Sequence, residues 1–363
     1  MKKIPFILIL LVALALLPVQ ALAQNNVSEP VIADSLKTRD KNIILDAVYV
    51  TAERITKISD NDYVMIDFEV ADDECFILQR EKKSLKKHRV LVTNMFFEPV
   101  DTIRLPERLR PTNLLYDIAG NCQIVTQDSV YQIVKKNFKY FYSFPSDRKH
   151  FNEVMSNILF MTDRFVYFCE IKMDGYLMYY YRIDPLKKTS EILFRASDMQ
   201  KYSEIPQEVT WHENHSRRMG GLWFGPSPED WEVFLRKVWM RPEQSYLGHS
   251  FDTLFYFDHQ NRKIMTFDEN LNLLHSCDIT YPEKKIFWRH IIYQDRAWGT
   301  FYTIFGTTLN EIDIKTGKTI PKINANNYLS QKMIIYKGNL YSLKKRRDSG
   351  NSELSFIEKT QLY

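Results

Sequence analysis

The residues with the strongest chemical character in this 363-residue sequence are crowded into one stretch. Trp211, Trp223, Trp231 and Trp239 are four of the six tryptophans, and all fall between positions 200 and 245. Beside them stand His212, Glu213, His215, Arg217 and Arg218. An indole next to a guanidinium can stack on a sugar ring or grip a peptide carboxylate. Trp211, His212, His215, Arg217, Arg218 and Trp223 are therefore the candidate ligand-binding residues, with Arg217-Arg218-Met219-Gly220-Gly221 read as a contact loop. The H-x-x-H spacing of His212 and His215 could present two imidazoles on one helical face to zinc, but it lacks the H-E-x-x-H spacing of zinc proteases. Exposed loop histidines are the expectation, and no metal site is assigned.

Catalytic signatures are missing elsewhere. The chain has no G-x-S-x-G elbow, no P-loop and no G-x-G-x-x-G, so no catalytic residue is assigned. Acid pairs for glycoside cleavage require a separation of about 5 to 9.5 Å, which a linear pattern does not reveal.

The same 200–245 stretch carries a helix signal. Ser227 is a natural N-cap, Pro228 fits the first helical position, and Glu229 and Asp230 suit the first turn. Trp231, Phe234, Leu235, Val238 and Trp239 then fall at i, i+3, i+4, i+7 and i+8, one apolar stripe that must pack on a neighbouring surface. Pro242 ends it.

Residues 1–23 have the form of a cleaved secretory signal: Lys2 and Lys3, an apolar run from Ile7 to Leu17, and Ala21-Leu22-Ala23 at the cleavage point. Residues 24–41 read as a flexible linker, and the mature protein is expected in the periplasm or outside the cell. Removing the two lysines leaves 47 basic against 45 acidic residues, a net charge of +2. That near-neutral balance gives no electrostatic case for nucleic acid. The basic runs at Lys82–Arg89 and Lys344–Arg347 read as solvated hairpin turns. Four cysteines are too few for a disulfide framework in a chain of this size, so buried free thiols are expected.

The elements that must position these residues recur. Cys75, Cys122 and Cys169 are each 47 residues apart, a pointer to a period of 40 to 50. Short β-rich runs follow at that period: Tyr63–Val70, Cys75–Arg80, Val90–Phe97 and Thr102–Leu105, then Asn113–Ile118, Cys122–Gln127, Ser129–Lys135 and Lys139–Phe144. A third set is Ser156–Thr162, Arg164–Ile171, Leu177–Ile183 and Glu191–Phe194. The pattern resumes with Ser250–Phe257, Lys263–Phe267 and Leu273–Ile279, and two further sets run to Glu358. Turn chemistry separates them, as at Asp174-Gly175, Asp258–Asn261, Asp313–Lys318 and Lys337-Gly338-Asn339. Groups of four short antiparallel strands at this period specify a β-propeller. The expected fold is all-β, a six-bladed β-propeller over residues 42–363 with one helical insertion at 200–245 between blades 3 and 4. Aromatic residues make up 14% of the chain, and large rings suit the wedge-shaped gaps between blades.

Leu254-Phe255-Tyr256-Phe257-Asp258, Ile264-Met265-Thr266-Phe267-Asp268 and Glu311-Ile312-Asp313 with Thr316-Gly317-Lys318 resemble the strands of exported six-bladed propellers of the Bacteroidetes type, broadly similar to NHL and TolB-like propellers. The resemblance implies an exported binding or scaffold protein; with the Trp211 to Trp223 surface, the expectation is a non-catalytic module for a glycan, peptide or partner protein, monomeric and without a cofactor. The resemblance also implies an alternative, a calcium-dependent hydrolase or lactonase, for which Asp62, Asn157, Glu170, Asp252 and Asp295 are candidate ligands if they converge on the channel. Ile44 to Ala52 is similar to the segment before the plug of TonB-dependent transporters, which suggests an outer-membrane partner. A plainer account makes Ala47–Ile55 an alternating strand that closes the ring against the C-terminal blade.

Overall fold

In a computed structural model, the described residues are 55–363 apart from 156, 219–226, 237–244, 282–290, 306–307, 325–329 and 348–352. The expected signal peptide, the linker, the segment Ile44–Ala52, Trp223 and Trp239 lie outside them. No helix among the described residues is long and apolar enough to cross a membrane.

The described chain starts with β1 (Ile55–Ser59) and then builds six antiparallel sheets in order. Blade 1 is β2 (Tyr63–Ala71), β3 (Glu74–Glu81), β4 (His88–Asn94) and β5 (Pro99–Leu105). Blade 2 is β6 (Pro111–Tyr116), β7 (Cys122–Thr126), β8 (Ser129–Lys136) and a fourth strand split into β9 (Lys139–Tyr142) and β10 (Ser146–Asp147), followed by α1 (Arg148–Met155). Blade 3 is β11 (Ile158–Met161), β12 (Val166–Lys172), β13 (Leu177–Asp184) and β14 (Thr189–Ser197). Two helices, α2 (Met199–Arg218) and α3 (Pro228–Phe234), precede blade 4: β15 (Tyr246–Ser250), β16 (Thr253–Asp258), β17 (Lys263–Asp268) and β18 (Leu273–Asp278). Blade 5 is β19 (Ile292–Gln294), β20 (Phe301–Phe305), β21 (Thr308–Ile312) and β22 (Thr319–Asn324). Blade 6 is β23 (Ser330–Tyr336), β24 (Asn339–Arg347) and β25 (Glu353–Gln361), completed by β1.

The protein is thus the expected six-bladed β-propeller with its helical insertion between blades 3 and 4. The ring closes when β1 pairs antiparallel with β25, Ile55 opposite Thr360 through Ser59 opposite Phe356. The closing strand was expected at Ala47–Ile55, of which only Ile55 is among the described residues; the pairing seen runs over Ile55–Ser59. Each blade grows outward from its first strand, so the six inner strands run the same way around the axis. Turns after strands one and three share one face, here the hairpin face. Blade connections and both insertion helices share the other, the loop face.

Alternation within each strand sends side chains to two neighbouring blades. Phe76, Leu78, Val90 and Val92 of blade 1 meet Leu114, Ile124 and Tyr140 of blade 2. Met65, Phe68, Cys75 and Ile77 point the other way, to Ile334, Tyr341 and Ile357 of blade 6. Blades 3 and 4 share Tyr167, Tyr180, Leu254 and Tyr256, and blades 4 and 5 share Phe255, Phe257, Ile264 and Phe301. Each such ring or branched chain, fully buried, contributes roughly 1.5 to 3 kcal/mol. The aromatic content is spent in these wedges.

Several boundaries differ from the sequence pattern. Ser250–Phe257 is two strands, because the chain turns at Phe251 (φ 51°) and Asp252, and Tyr246–Ser250 is the inner strand that blade 4 otherwise lacked. Lys139–Phe144 is interrupted after Tyr142, where the Ser143 N–H donates to the Gln132 carbonyl of β8, the Ser143 hydroxyl oxygen accepts the Gln132 N–H, and Phe144 is exposed. The basic run at Lys344–Arg347 is strand, not turn: Lys344 pairs with Glu358 of β25. Within the expected helical insertion, His212, His215, Arg217 and Arg218, read as loop, lie in a helix that spans residues 199–218. Pro206 inside α2 removes one backbone donor; Tyr202, Ile205 and Val209 nevertheless pack with Tyr176, Trp231 and Leu235. Burial of that face outweighs the proline. For α3 the sequence signal holds, since the Ser227 side chain accepts from the Asp230 backbone N–H at 3.1 Å.

Candidate functional site

The insertion places its predicted residues on a helix instead of a loop. Trp211 lies on α2 and is 61% exposed. His212, His215, Arg217 and Arg218 occupy the last two turns of the same helix, and their side chains, like Trp223 and the rest of the expected contact loop at 219–221, are outside the described residues. Trp211 therefore stands on the loop face as the described part of that predicted surface.

The calcium candidates do not come together. Asp62 and Asn157 precede inner strands β2 and β11, on the loop face, whereas Asp252 and Asp295 follow inner strands β15 and β19, on the hairpin face. An inner strand of about five residues separates the two faces by roughly 15 Å. Glu170 sits on the second strand of blade 3, half exposed beside Lys172. Asp295, fully buried, already accepts four backbone N–H groups, from Ala297, Trp298, Lys337 and Gly338. It clamps the first turn of blade 5 to the first turn of blade 6. Among the described residues no three His, Cys, Asp or Glu side chains gather as a metal site. These five candidates do not fit a calcium centre.

The axis holds a different arrangement. In β2 a bulge between Met65 and Asp67 shifts the alternation by one residue, so Asp67 and Glu69 turn away from the face that carries Met65 and Phe68. Both carboxylates are buried. A second bulge, between Ser330 and Lys332 in β23, aims Lys332 at them. Its ammonium lies 3.1 Å from Asp67 and 2.5 Å from Glu69, and 3.4 Å from the Leu114 carbonyl of blade 2. Asp67 also accepts the Leu114 backbone N–H at 2.7 Å. Arg296, in the first turn of blade 5, donates to Glu69 at 2.7 Å and to the Val70 carbonyl at 3.3 Å, with its guanidinium 5.0 Å from the centre of the Tyr116 ring.

Blades 5 and 2 face each other across the ring, so Arg296 spans the hairpin-face end of the channel. Two acids meet two bases, and no net charge remains there for a divalent ion. Burial raises the Asp67 carboxyl above its usual range, opposed by Lys332 and two backbone N–H groups. Burial likewise pushes the Tyr116 hydroxyl up to about 12. On the far side of the axis, Phe160 stacks on His249 at 5.2 Å, and burial lowers the His249 pKa, favouring neutral imidazole. Gln294 bonds the His249 carbonyl at 2.5 Å, tying blade 5 to blade 4. None of these groups forms a nucleophile–base pair.

A groove of about 850 Å³ lies farther out, between the outer strands of blades 1 and 2. Its walls include Arg104, Arg108, Tyr131, Tyr142, Phe141 and Phe144. Tyr131 and Tyr142 meet edge to face at 5.8 Å, while Phe144, on the bulge that splits the fourth strand, is 94% exposed. Sequence reasoning missed this groove. Its one visible signal was the aromatic density of Phe138-Lys139-Tyr140-Phe141-Tyr142-Ser143-Phe144, which strand propensity explained equally well.

No protein-family model and no curated protein matches the sequence. Similar solved structures are propellers at low identity. They include regucalcin, a calcium-binding protein from Agrobacterium tumefaciens, at 9% identity over 82% of this chain and 92% of that one, TM-score 0.34. Luciferin-regenerating enzyme matches at 8% over 85% and 95%, TM-score 0.35. The extracellular domain of a putative one-component system from B. thetaiotaomicron matches at 8% over 83% of this chain and 43% of that one, TM-score 0.36. The six-bladed architecture rests on the strand order above and not on these likenesses.

Proposed function

We propose that the protein is an exported, non-catalytic binding or scaffold propeller of the NHL or TolB-like kind, recognising a glycan, peptide or partner protein on its loop face. The observation that carries this is the state of the axis: its two buried carboxylates are neutralised by Lys332 and Arg296. A propeller hydrolase would need free acids, a nucleophile or a metal cluster there. Exposed Trp211 on α2, with His212, His215, Arg217, Arg218 and Trp223 nearby in sequence, supports a contact surface on the loop face. Export follows from the signal-like residues 1–23, and an outer-membrane partner from the Ile44–Ala52 likeness.

The test uses the mature protein against immobilised polysaccharides and a displayed random-peptide library. Trp211→Ala and Arg217→Ala should weaken capture while leaving the melting temperature near wild type; for Trp211 the reason is that an exposed side chain contributes little to folding. Calcium-dependent turnover of a lactone or glycoside by the wild type would overturn the proposal.

A further inference from the structure

The outer strand of blade 2 departs from what a propeller rim requires. A solvent-facing edge is normally short, charged and free of large apolar side chains. Here Phe138, Phe141 and Phe144 recur every third residue and are 88%, 51% and 94% exposed. Val134 lies directly opposite Phe141 on β8 and is also exposed.

Two of these phenylalanines sit in backbone settings that do not follow from folding alone. Phe138 occupies the second position of the turn between β8 and β9 with φ 61°, after Asn137 with φ 50°. Glycine adopts that conformation freely, whereas an aromatic residue is strained in it. Phe144 projects from the break between β9 and β10, where Pro145 follows. A strained, fully exposed ring is a reason to look for a function.

The groove beside this strand supplies the second observation. Its walls carry two arginines, three tyrosines and two phenylalanines but no lysine, aspartate or glutamate. That bias, aromatic residues and Arg enriched with Lys, Asp and Glu depleted, is the composition of a protein–protein interface core. Arg104 and Arg108 make no ion pair in the described structure, although neighbouring Arg89 and Lys135 do. Exposed Glu107 and Arg110 flank the lining residues in sequence, and the Asp101 carboxylate accepts the Tyr140 backbone N–H at 2.8 Å, which leaves Arg104 and Arg108 as the charged side chains on the walls. The charge complement of such a rim is acidic.

We propose that the groove between blades 1 and 2 docks an acidic, apolar-anchored peptide segment of a partner protein. Arg104 and Arg108 take the carboxylates, and Phe141, Phe144, Tyr131 and Tyr142 receive the anchor side chain. The proposal rests on the binding function above and names the partner chemistry of a second surface, distinct from Trp211.

A random-peptide library displayed on phage, selected on the immobilised mature protein, tests it. Selected sequences should be rich in Asp and Glu around an aromatic or aliphatic residue. A synthetic peptide of the selected sequence should bind with an affinity that falls as salt rises. Arg104→Ala with Arg108→Ala, or Phe144→Ser, should weaken it about tenfold or more, equivalent to about 1.4 kcal/mol, with unchanged melting. Selected peptides without acidic bias, or peptides that bind these variants as well as wild type, would overturn the proposal. So would polygalacturonate capture that the two arginine substitutions abolish, which would make the groove a glycan site. A dimer in sedimentation that Phe144→Ser dissociates would equally assign the groove to a second copy. Peptide binding lost in Trp211→Ala but kept in the arginine variant removes the groove and leaves the binding function standing; absence of all peptide and polysaccharide binding removes both.

Discussion

Lys332 offers the sharpest test of the axial ion-pair network. Its side chain is about a quarter exposed, while those of Asp67 and Glu69 are 10% and 3% exposed. Lys332→Met keeps most of the apolar stem but removes the ammonium, which lies 5.8 Å from the centre of the Phe68 ring. Glu69 retains Arg296 at 2.7 Å, so Asp67 is the group left without an opposite charge. Breaking a buried pair by deleting one partner costs about 3 to 5 kcal/mol, and the surviving Arg296 contact points to the lower end, about 3 kcal/mol. For a domain of this size that is a fall in melting temperature of roughly 4 to 5 °C.

The pH dependence has a fixed sign. The folded pKa of Asp67 is already raised by burial, and losing Lys332 removes the largest influence that lowers it. A carboxyl whose folded pKa exceeds its unfolded value takes up a proton on folding, so its penalty is full above the folded pKa and disappears as pH falls through it. The deficit measured by urea unfolding should therefore be larger at pH 7.5 than at pH 5, and Asp67→Asn in the Lys332→Met background should recover most of it. A loss under about 1 kcal/mol, or one that is constant with pH, would refute a buried, coupled network at the axis.

Two further outcomes follow from neighbouring features. Asp295→Ala leaves four backbone N–H groups without their acceptor; at about 1 kcal/mol or more for each buried donor, a loss above about 3 kcal/mol is expected in urea unfolding, while full retention of stability would show that the turns of blades 5 and 6 are not clamped there. All four cysteines are free thiols, with Cys75, Cys122 and Cys169 buried. Burial raises the thiol pKa of each, to about 11 for Cys169. A thiol reagent at pH 8 should label at most the half-buried Cys277 in the native protein and all four in denaturant, and rapid native labelling of three or more would contradict the packing.

The fold was legible because its signal is local and repeated. Alternating strands such as Leu254–Asp258 and Lys263–Asp268 need only period-two patterning, and turns such as Asp258–Asn261 and Asp313–Lys318 carry their own hydrogen bonds: Asp258 accepts from the Asn261 N–H, and Asp313 from the Lys315 N–H. The N-cap at Ser227 was readable for the same reason. Elements held by distant partners were not. Tyr246–Ser250 is a five-residue strand whose glycine has little β propensity, but Gly248 is required because a Cβ there would meet the Phe301 and Tyr246 rings at 2.8 Å. The helix α2 carries Pro206 against local rules and is held by Tyr176 and Leu235 from other elements.

The sequence by itself determined the period, the number of blades and the place of the insertion, since each depends on composition or on neighbours within about ten residues. The tertiary structure decided which charged residues meet at the axis. Asp67, Glu69, Arg296 and Lys332 span 266 positions of the chain, and two single-residue bulges, in β2 and β23, re-aim their strands so that Asp67, Glu69 and Lys332 converge. A one-residue shift in a strand reverses which face a side chain occupies. Its outcome is fixed by partner strands across the ring, and no local pattern encodes it.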